Sequence, residues 1–283
     1  MRMLTKFNLI QIFLLVLLFL PLATFSSETK KERLDFIRNL ESRIQKDIPK
    51  MDMEKRYQIY VDAARELHRF HFNNYAVKYL NKALLLEVKS SKVPVWIKLL
   101  GIHHQEGQLE TLKVDLGRFN NWVNTNKVKL STRAKSANDF YTFITSTESA
   151  ETILSKEQIN QLQKSFFASE FNWVNFERLL RHKKWEEAKS MVNFSQVKNS
   201  SNWTKLKVDL LNLNTKNSIS TLHCNDFKKT DDLNPEHLMC QVMEDHLKKK
   251  PKNPALMAKF HKSLNALKPE YHWFYRLVKE LQS

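Results

Sequence analysis

Ala63 to Leu84 reads AARELHRFHFNNYAVKYLNKAL, and the spacing of its apolar residues decides the fold class. Ala64, Leu67 and His71 continue a stripe begun by Tyr57, Tyr60 and Val61. Recurrence at three and four places these side chains on one face of an α-helix. Tyr75, Tyr79, Ala83 and Leu86 carry a second stripe of the same period. Two short amphipathic helices in succession, with small alanines where they would touch, predict a helical hairpin, because helix axes approach closely only over small side chains.

The same period extends in both directions. Leu34, Ile37, Leu40, Ile44 and Ile48 form an earlier stripe that Pro49 ends. A helix around Val95 to His103 follows Pro94, and Leu109, Leu112, Leu116, Phe119 and Val123 repeat the pattern. Ser155 with Gln158 predicts a capping box, and Asn234-Pro235 and Asn253-Pro254 each supply an N-cap followed by proline at the first helical position. Lys268-Pro269-Glu270 predicts the opening of a last helix, Glu270 to Leu281, with Trp273, Phe274 and Leu277 on its apolar face. Only three glycines occur, Gly101, Gly107 and Gly117. β-Hairpin turns and phosphate loops both need glycine where φ is positive, so sheet-rich and nucleotide-binding folds are disfavoured. The expectation is an all-α array of about a dozen helices in antiparallel hairpins, or else a compact irregular helical domain.

Residues 63–84 and 175–192 (NFERLLRHKKWEEAKSMV) resemble a tetratricopeptide-type helix pair, and Gly107 to Leu116 is a fainter echo. Ala76, Leu112 and Ala188 fall at corresponding positions, but their separations of 36 and 76 depart from the regular 34-residue period. The resemblance implies stacked helical hairpins with a concave protein-binding surface.

At the N-terminus, Arg2 and Lys6 precede the uninterrupted apolar run Ile12 to Leu20, and Pro21 then leads to Ala23, Thr24, Ser26 and Ser27. That is the layout of a secretory signal, so residues 1–26 are expected to be a cleaved signal peptide and the protein to be periplasmic or secreted. The alternative is an uncleaved anchor over residues 8–25, which would be the one membrane contact. The remaining chain divides provisionally into a helical repeat-like domain over 27–213, a loop or joint over 214–233 rich in Asn, Ser and Lys, and a C-terminal helical segment over 234–283.

A net charge of +16 attracts polyanions. The densest local cluster is Lys248-Lys249-Lys250-Pro251-Lys252, joined by Lys259 and Lys262, with Tyr271, Trp273 and Tyr275 beyond it. These lysines are the candidate surface for an anionic partner; their bland role is to complement a helix C-terminus. Arg181 to Lys184 is a weaker cluster of the same kind.

Cys224 and Cys240 are the only cysteines. Outside the cytosol the simplest expectation is one disulfide, with free thiols as an alternative; zinc held by His223, Cys224, His237 and Cys240 is the sharper rival. The histidines His68 and His71, His103 and His104, and His237 and His246 stand in no recognised frame, and HExxH, GxSxG, CxxC and Walker sequences do not occur. No catalytic, cofactor-binding or metal-ligating residue is therefore assigned. Asn193, Asn199 and Asn202 head glycosylation sequons.

The leading expectation is a non-enzymatic exported scaffold or interaction protein, with a basic helical surface for an envelope protein or an anionic envelope polymer. One alternative is a hydrolase or lyase of cell-wall polymer using Glu66, Glu106 or Glu187 as acid or base. The other is a nucleic-acid-binding protein, disfavoured by export.

Overall fold

The computed structural model describes residues 30–192, 200–215, 222–226 and 234–281. The expected signal peptide or anchor, the sequons at Asn193 and Asn199, and most of the expected joint lie outside these residues. Among the described residues there are fourteen α-helices, short 3-10 turns and no strand, so the protein is all-α. No described helix is long and apolar enough to cross a membrane.

The chain divides into a compact N-terminal unit ending at Ile102 and a C-terminal unit beginning at His103. In the N-terminal unit, α1 (Lys30–Asp47) buries Ile37 and Ile44. Helix α2 (Met53–Arg69) starts at Asp52, whose carboxylate accepts from Lys55 N at 2.9 Å, and α3 (Asn73–Leu85) folds back on it. Ala63, Ala64 and Leu67 of α2 and Ala76, Leu80 and Ala83 of α3 are buried, as the alanine pattern predicts for close-packed helices. Tyr57 donates to the Ser91 carbonyl at 2.9 Å, tying α2 to the segment that leads into α4 (Val93–Gln105).

The C-terminal unit continues with α5 (Leu109–Thr125), α6 (Thr132–Ile144), α7 (Ala150–Ile153), α8 (Lys156–Gln163), α9 (Ala168–Arg181) and α10 (Trp185–Ser190). After the undescribed 193–199 come α11 (Asn202–Asn214), a 3-10 turn (His223–Asp226), α12 (Pro235–Leu247), α13 (Pro254–Ser263) and α14 (His272–Glu280). The capping box at Ser155 and Gln158 forms, as do the caps at Asn234 and Asn253 with proline in the first turn. The last helix starts later than its sequence suggests. Pro269–Tyr271 makes a 3-10 turn first, and α14 begins at His272.

Three connections share one geometry. After α2, α4 and α9 the chain passes through His71 (φ 61°), Gly107 (φ 68°) and Lys183 (φ 57°). In each, that residue's N–H returns to the carbonyl three back, and the next N–H returns to the carbonyl five back: Phe72 to Leu67 at 2.8 Å, Gln108 to His103 at 2.9 Å, Lys184 to Leu179 at 2.9 Å. These paired bonds satisfy the last carbonyls of the helix. Five residues beyond each left-handed residue stand Ala76, Leu112 and Ala188, all fully buried. Lys127 (φ 51°) and Lys249 (φ 51°) end α5 and α12 with the same pair of bonds.

Buried polar groups fasten the C-terminal unit. The Arg178 guanidinium donates to the carbonyls of Phe143, Ile144, Ser146 and Glu148 at 2.8, 3.3, 2.7 and 2.9 Å, closing the end of α6 while lying 4.0 Å over the Phe143 ring. Burial brings its pKa down to about 10. His103 bridges Gln108 Oε1 (2.8 Å) and Asp115 Oδ2 (3.1 Å), and Arg118 reaches the other Asp115 oxygen at 2.8 Å.

Candidate functional site

The lysine run lies where α12 gives way to α13. Lys248 caps α12, Lys249 takes the left-handed position, and Lys250 N returns to the Asp245 carbonyl at 2.9 Å. Lys248 is ion-paired with Glu244, and Lys250 Nζ lies 2.9 Å from Asp245. From His246 to Pro269 the chain carries seven lysines and no acid, and all seven are exposed. An open cleft of about 710 Å³ borders the run, lined by Lys250, Lys252 and Lys259 together with Gln241, Glu244 and Asp245. The structure therefore brings Lys250 and Lys252 together at one cleft. Two of the four nominated charges, on Lys248 and Lys250, are matched by acids of α12. Tyr275 stands apart from this surface: it is buried, stacked 4.3 Å from Phe260 and bonded through its hydroxyl to His261 Nδ1.

Cys224 and Cys240 form a disulfide with Cα atoms 5.8 Å apart, joining the 3-10 turn to α12. The turn is also gripped from α11. Asp209, fully buried, accepts from His223 N (2.9 Å), His223 Nδ1 (2.7 Å) and Cys224 N (2.9 Å). Burial raises the Asp209 pKa, and these three bonds oppose the rise. Both sulfurs are consumed by the bridge, while His237 Nε2 accepts from the Gln241 amide at 2.9 Å. The disulfide expected from sequence is thus formed and the rival zinc set is not assembled; no cluster of three ligating side chains occurs among the described residues.

The three glutamates suggested as acid or base do not share an environment. Glu66 is half-buried on α2 of the N-terminal unit, 3.8 Å from Arg69. Glu106 and Glu187 are exposed at the end of α4 and on α10 of the C-terminal unit. None of them borders the open cleft.

A second cluster gathers residues that the sequence leaves far apart. Lys207 on α11 is only 3% exposed and is ion-paired with Glu177 of α9. Its ammonium lies 5.1 Å from the ring centre of Trp173, 5.5 Å from Tyr271 and 5.9 Å from Trp273. Burial lowers the Lys207 pKa, and Glu177 pulls the other way. Arg181 covers the Trp273 ring at 4.7 Å, and Trp203 lies flat on Tyr271 at 3.9 Å and 3°. Five residues before Lys207, Asn202 at the start of α11 donates to Glu236 of α12 at 2.8 Å. The signal was present as Trp173, Glu177 and Arg181, each four apart on one helix, and as Trp203 and Lys207, four apart on another. Nothing local pairs the two helices, so the cluster was not legible.

Comparison with family models, with curated proteins and with solved structures finds no match to this chain.

Proposed function

We propose that this chain is a non-enzymatic, exported interaction protein whose C-terminal unit binds an anionic polymer of the cell envelope through the lysine surface of α12 and α13. One observation carries the proposal: the acid-free run from His246 to Pro269, with its seven exposed lysines, edges an open cleft. Local cation density of this kind attracts polyanions by counterion release and long-range steering. The recurring hairpin turns after α2, α4 and α9 support a tetratricopeptide-like scaffold as its carrier.

The test is titration of the full chain with poly-L-glutamate at several salt concentrations. Replacing Lys248, Lys249, Lys250 and Lys252 by Gln is expected to weaken binding at least tenfold and to flatten its salt dependence. Equal binding by the variant, or no binding by the natural sequence at 50 mM salt, overturns the proposal.

A further inference from the structure

The connection between α5 and α6 gathers cations that the lysine surface of α12 and α13 does not include. Over residues 116–138 the chain carries Arg118, Lys127, Lys129, Arg133 and Lys135 and no acid. Lys127 follows α5 in the left-handed conformation and Lys129 stands in the connection. Arg133 and Lys135 belong to the first turn of α6, which starts behind the Ser131 cap. Lys127, Lys129, Arg133 and Lys135 are all exposed.

Packing brings a further cation to this corner and keeps most acids away from it. α8 lies antiparallel on α6: Gln158 donates to Asp139 at 2.8 Å, and Gln161, one turn later, donates to the Thr132 carbonyl and to Ser136, both at 3.1 Å. Lys164, which caps the end of α8, is thereby carried towards the start of α6, and it is exposed. The other end of the pair holds Asp139 and Glu157 beside Lys156. Asp139 stands roughly 10 Å along α6 from Thr132, and Asp115 roughly 15 Å along α5 from Thr125, at 1.5 Å per residue. Those separations reach or exceed the Debye length of about 10 Å at 0.1 M salt, so the acids leave the field of the corner largely intact. Lys135 feels Asp139 one turn on, and Arg118 is paired with Asp115. Lys127, Lys129, Arg133 and Lys164 have no ion pair among the described residues. Lys248 and Lys250, by contrast, are each matched by an acid of α12. The positive end of the α6 macrodipole adds to the same field.

We propose that this corner is a second contact surface for an anionic polymer, formed by residues other than the lysines of α12 and α13. Unpaired cations convert to polyanion affinity through counterion release, and each one engaged steepens the salt dependence. A nucleic acid finds no open ring here to stack on. Phe119 is fully buried, and Trp122 is half-buried against it at 6.4 Å and 21°. For a lipid surface the apolar wedge at hand is Phe166, 93% exposed. Its neighbour Phe167 stacks on Phe140 at 4.4 Å, beside Asp139, and Glu170 follows one turn on. Sinking Phe166 among anionic headgroups would carry these acids in with it, so a polymer in solution fits the charge pattern better.

The experiment uses the full chain with poly-L-glutamate and with inorganic polyphosphate, at 50 to 300 mM salt. Calorimetry gives the affinity, and lysine acetylation read by mass spectrometry gives the place. At least one polymer is expected to bind and to protect Lys127, Lys129 and Lys164 from acetylation, both in the natural sequence and in the variant with Lys248, Lys249, Lys250 and Lys252 replaced by Gln. Combining Lys127→Gln, Lys129→Gln and Arg133→Gln is expected to weaken binding at least fivefold and to flatten its salt dependence, while the lysines at 248–252 stay protected. Should that variant lose its helical circular dichroism, Lys129→Gln with Lys164→Gln, neither at a left-handed position, replaces it, with at least a threefold loss expected. Polymer binding that leaves Lys127, Lys129 and Lys164 as reactive as in the free chain overturns the inference and leaves the lysine surface standing. Protection of these three without the lysines at 248–252 supports it and overturns that surface instead. No binding of either polymer at 50 mM salt overturns both. Tighter binding to phosphatidylglycerol vesicles, lost in Phe166→Ser, overturns it in favour of a membrane contact. Tighter binding of oligodeoxythymidylate than of polyphosphate of equal charge overturns it in favour of a nucleic acid.

Discussion

At the residue scale, the most unusual choice is what stands at the left-handed ends of helices. In three of the five double-bonded turns that position is Lys, at 127, 183 and 249, and in a fourth it is His71. A side chain with a Cβ is strained there, by roughly 1–2 kcal/mol, and glycine is not. Lys127→Gly should therefore stabilise the fold, by about 0.5–1 kcal/mol after the greater freedom of the unfolded glycine is set against the relief. A rise in the midpoint of urea unfolding would register it. Arg178 makes the opposite case. Its planar guanidinium serves four carbonyls from one buried position, and a methionine there would remove all four of these bonds, leaving the Phe143 carbonyl only its bond from Ser146 N. Arg178→Met is expected to cost about 3 kcal/mol or more, and Arg178→Lys to recover only part of it, because an ammonium cannot span the same fork. Thermal melting of both variants checks the order.

At the element scale, α4 and α5 are joined by a contact that titrates. The hydrogen bond to Asp115 raises the pKa of His103 above 6.5, in spite of burial. For Asp115 burial works against ionisation, yet the bonds from His103 and Arg118 outweigh it and leave the pKa below 3.8. The histidine contribution is thus complete below pH 6.5 and is lost as pH rises through the raised value. The aspartate contribution is complete above pH 3.8 and is lost as pH falls through the lowered one. Unfolding free energy should fall as pH rises from about 6.5 through the raised His103 pKa, and His103→Gln should flatten that slope; an unchanged slope would assign it elsewhere. Helices of this kind were readable in advance because caps and periodicity are local. Ser155 with Gln158, Asn234 and Asn253 all cap as their spacing predicts. Trp203 over Tyr271 and Lys207 on Glu177 were not readable, since partners 68 and 30 residues apart meet only through packing of whole helices. The acids of α12 that pair with two of the lysines, Glu244 with Lys248 and Asp245 with Lys250, are only four and five residues away and so belong to the legible, local part.

On the scale of the whole molecule, the N-terminal unit relies on alanine-lined helix pairing, while the C-terminal unit adds a covalent tie. Reduction of Cys224–Cys240, or its replacement by serines, is expected to lower the stability of the C-terminal unit by about 3 kcal/mol on loop-closure grounds. Two-step melting under reductant, against the unreduced control, would show it. The N-terminal unit should melt unchanged.

That tie also simplifies how the chain matures. Two cysteines allow a single intramolecular pairing, and they are only 16 residues apart. Oxidation therefore has no scrambled isomers to correct, so refolding from the reduced state should be timed by the oxidant supplied and be indifferent to an added disulfide isomerase.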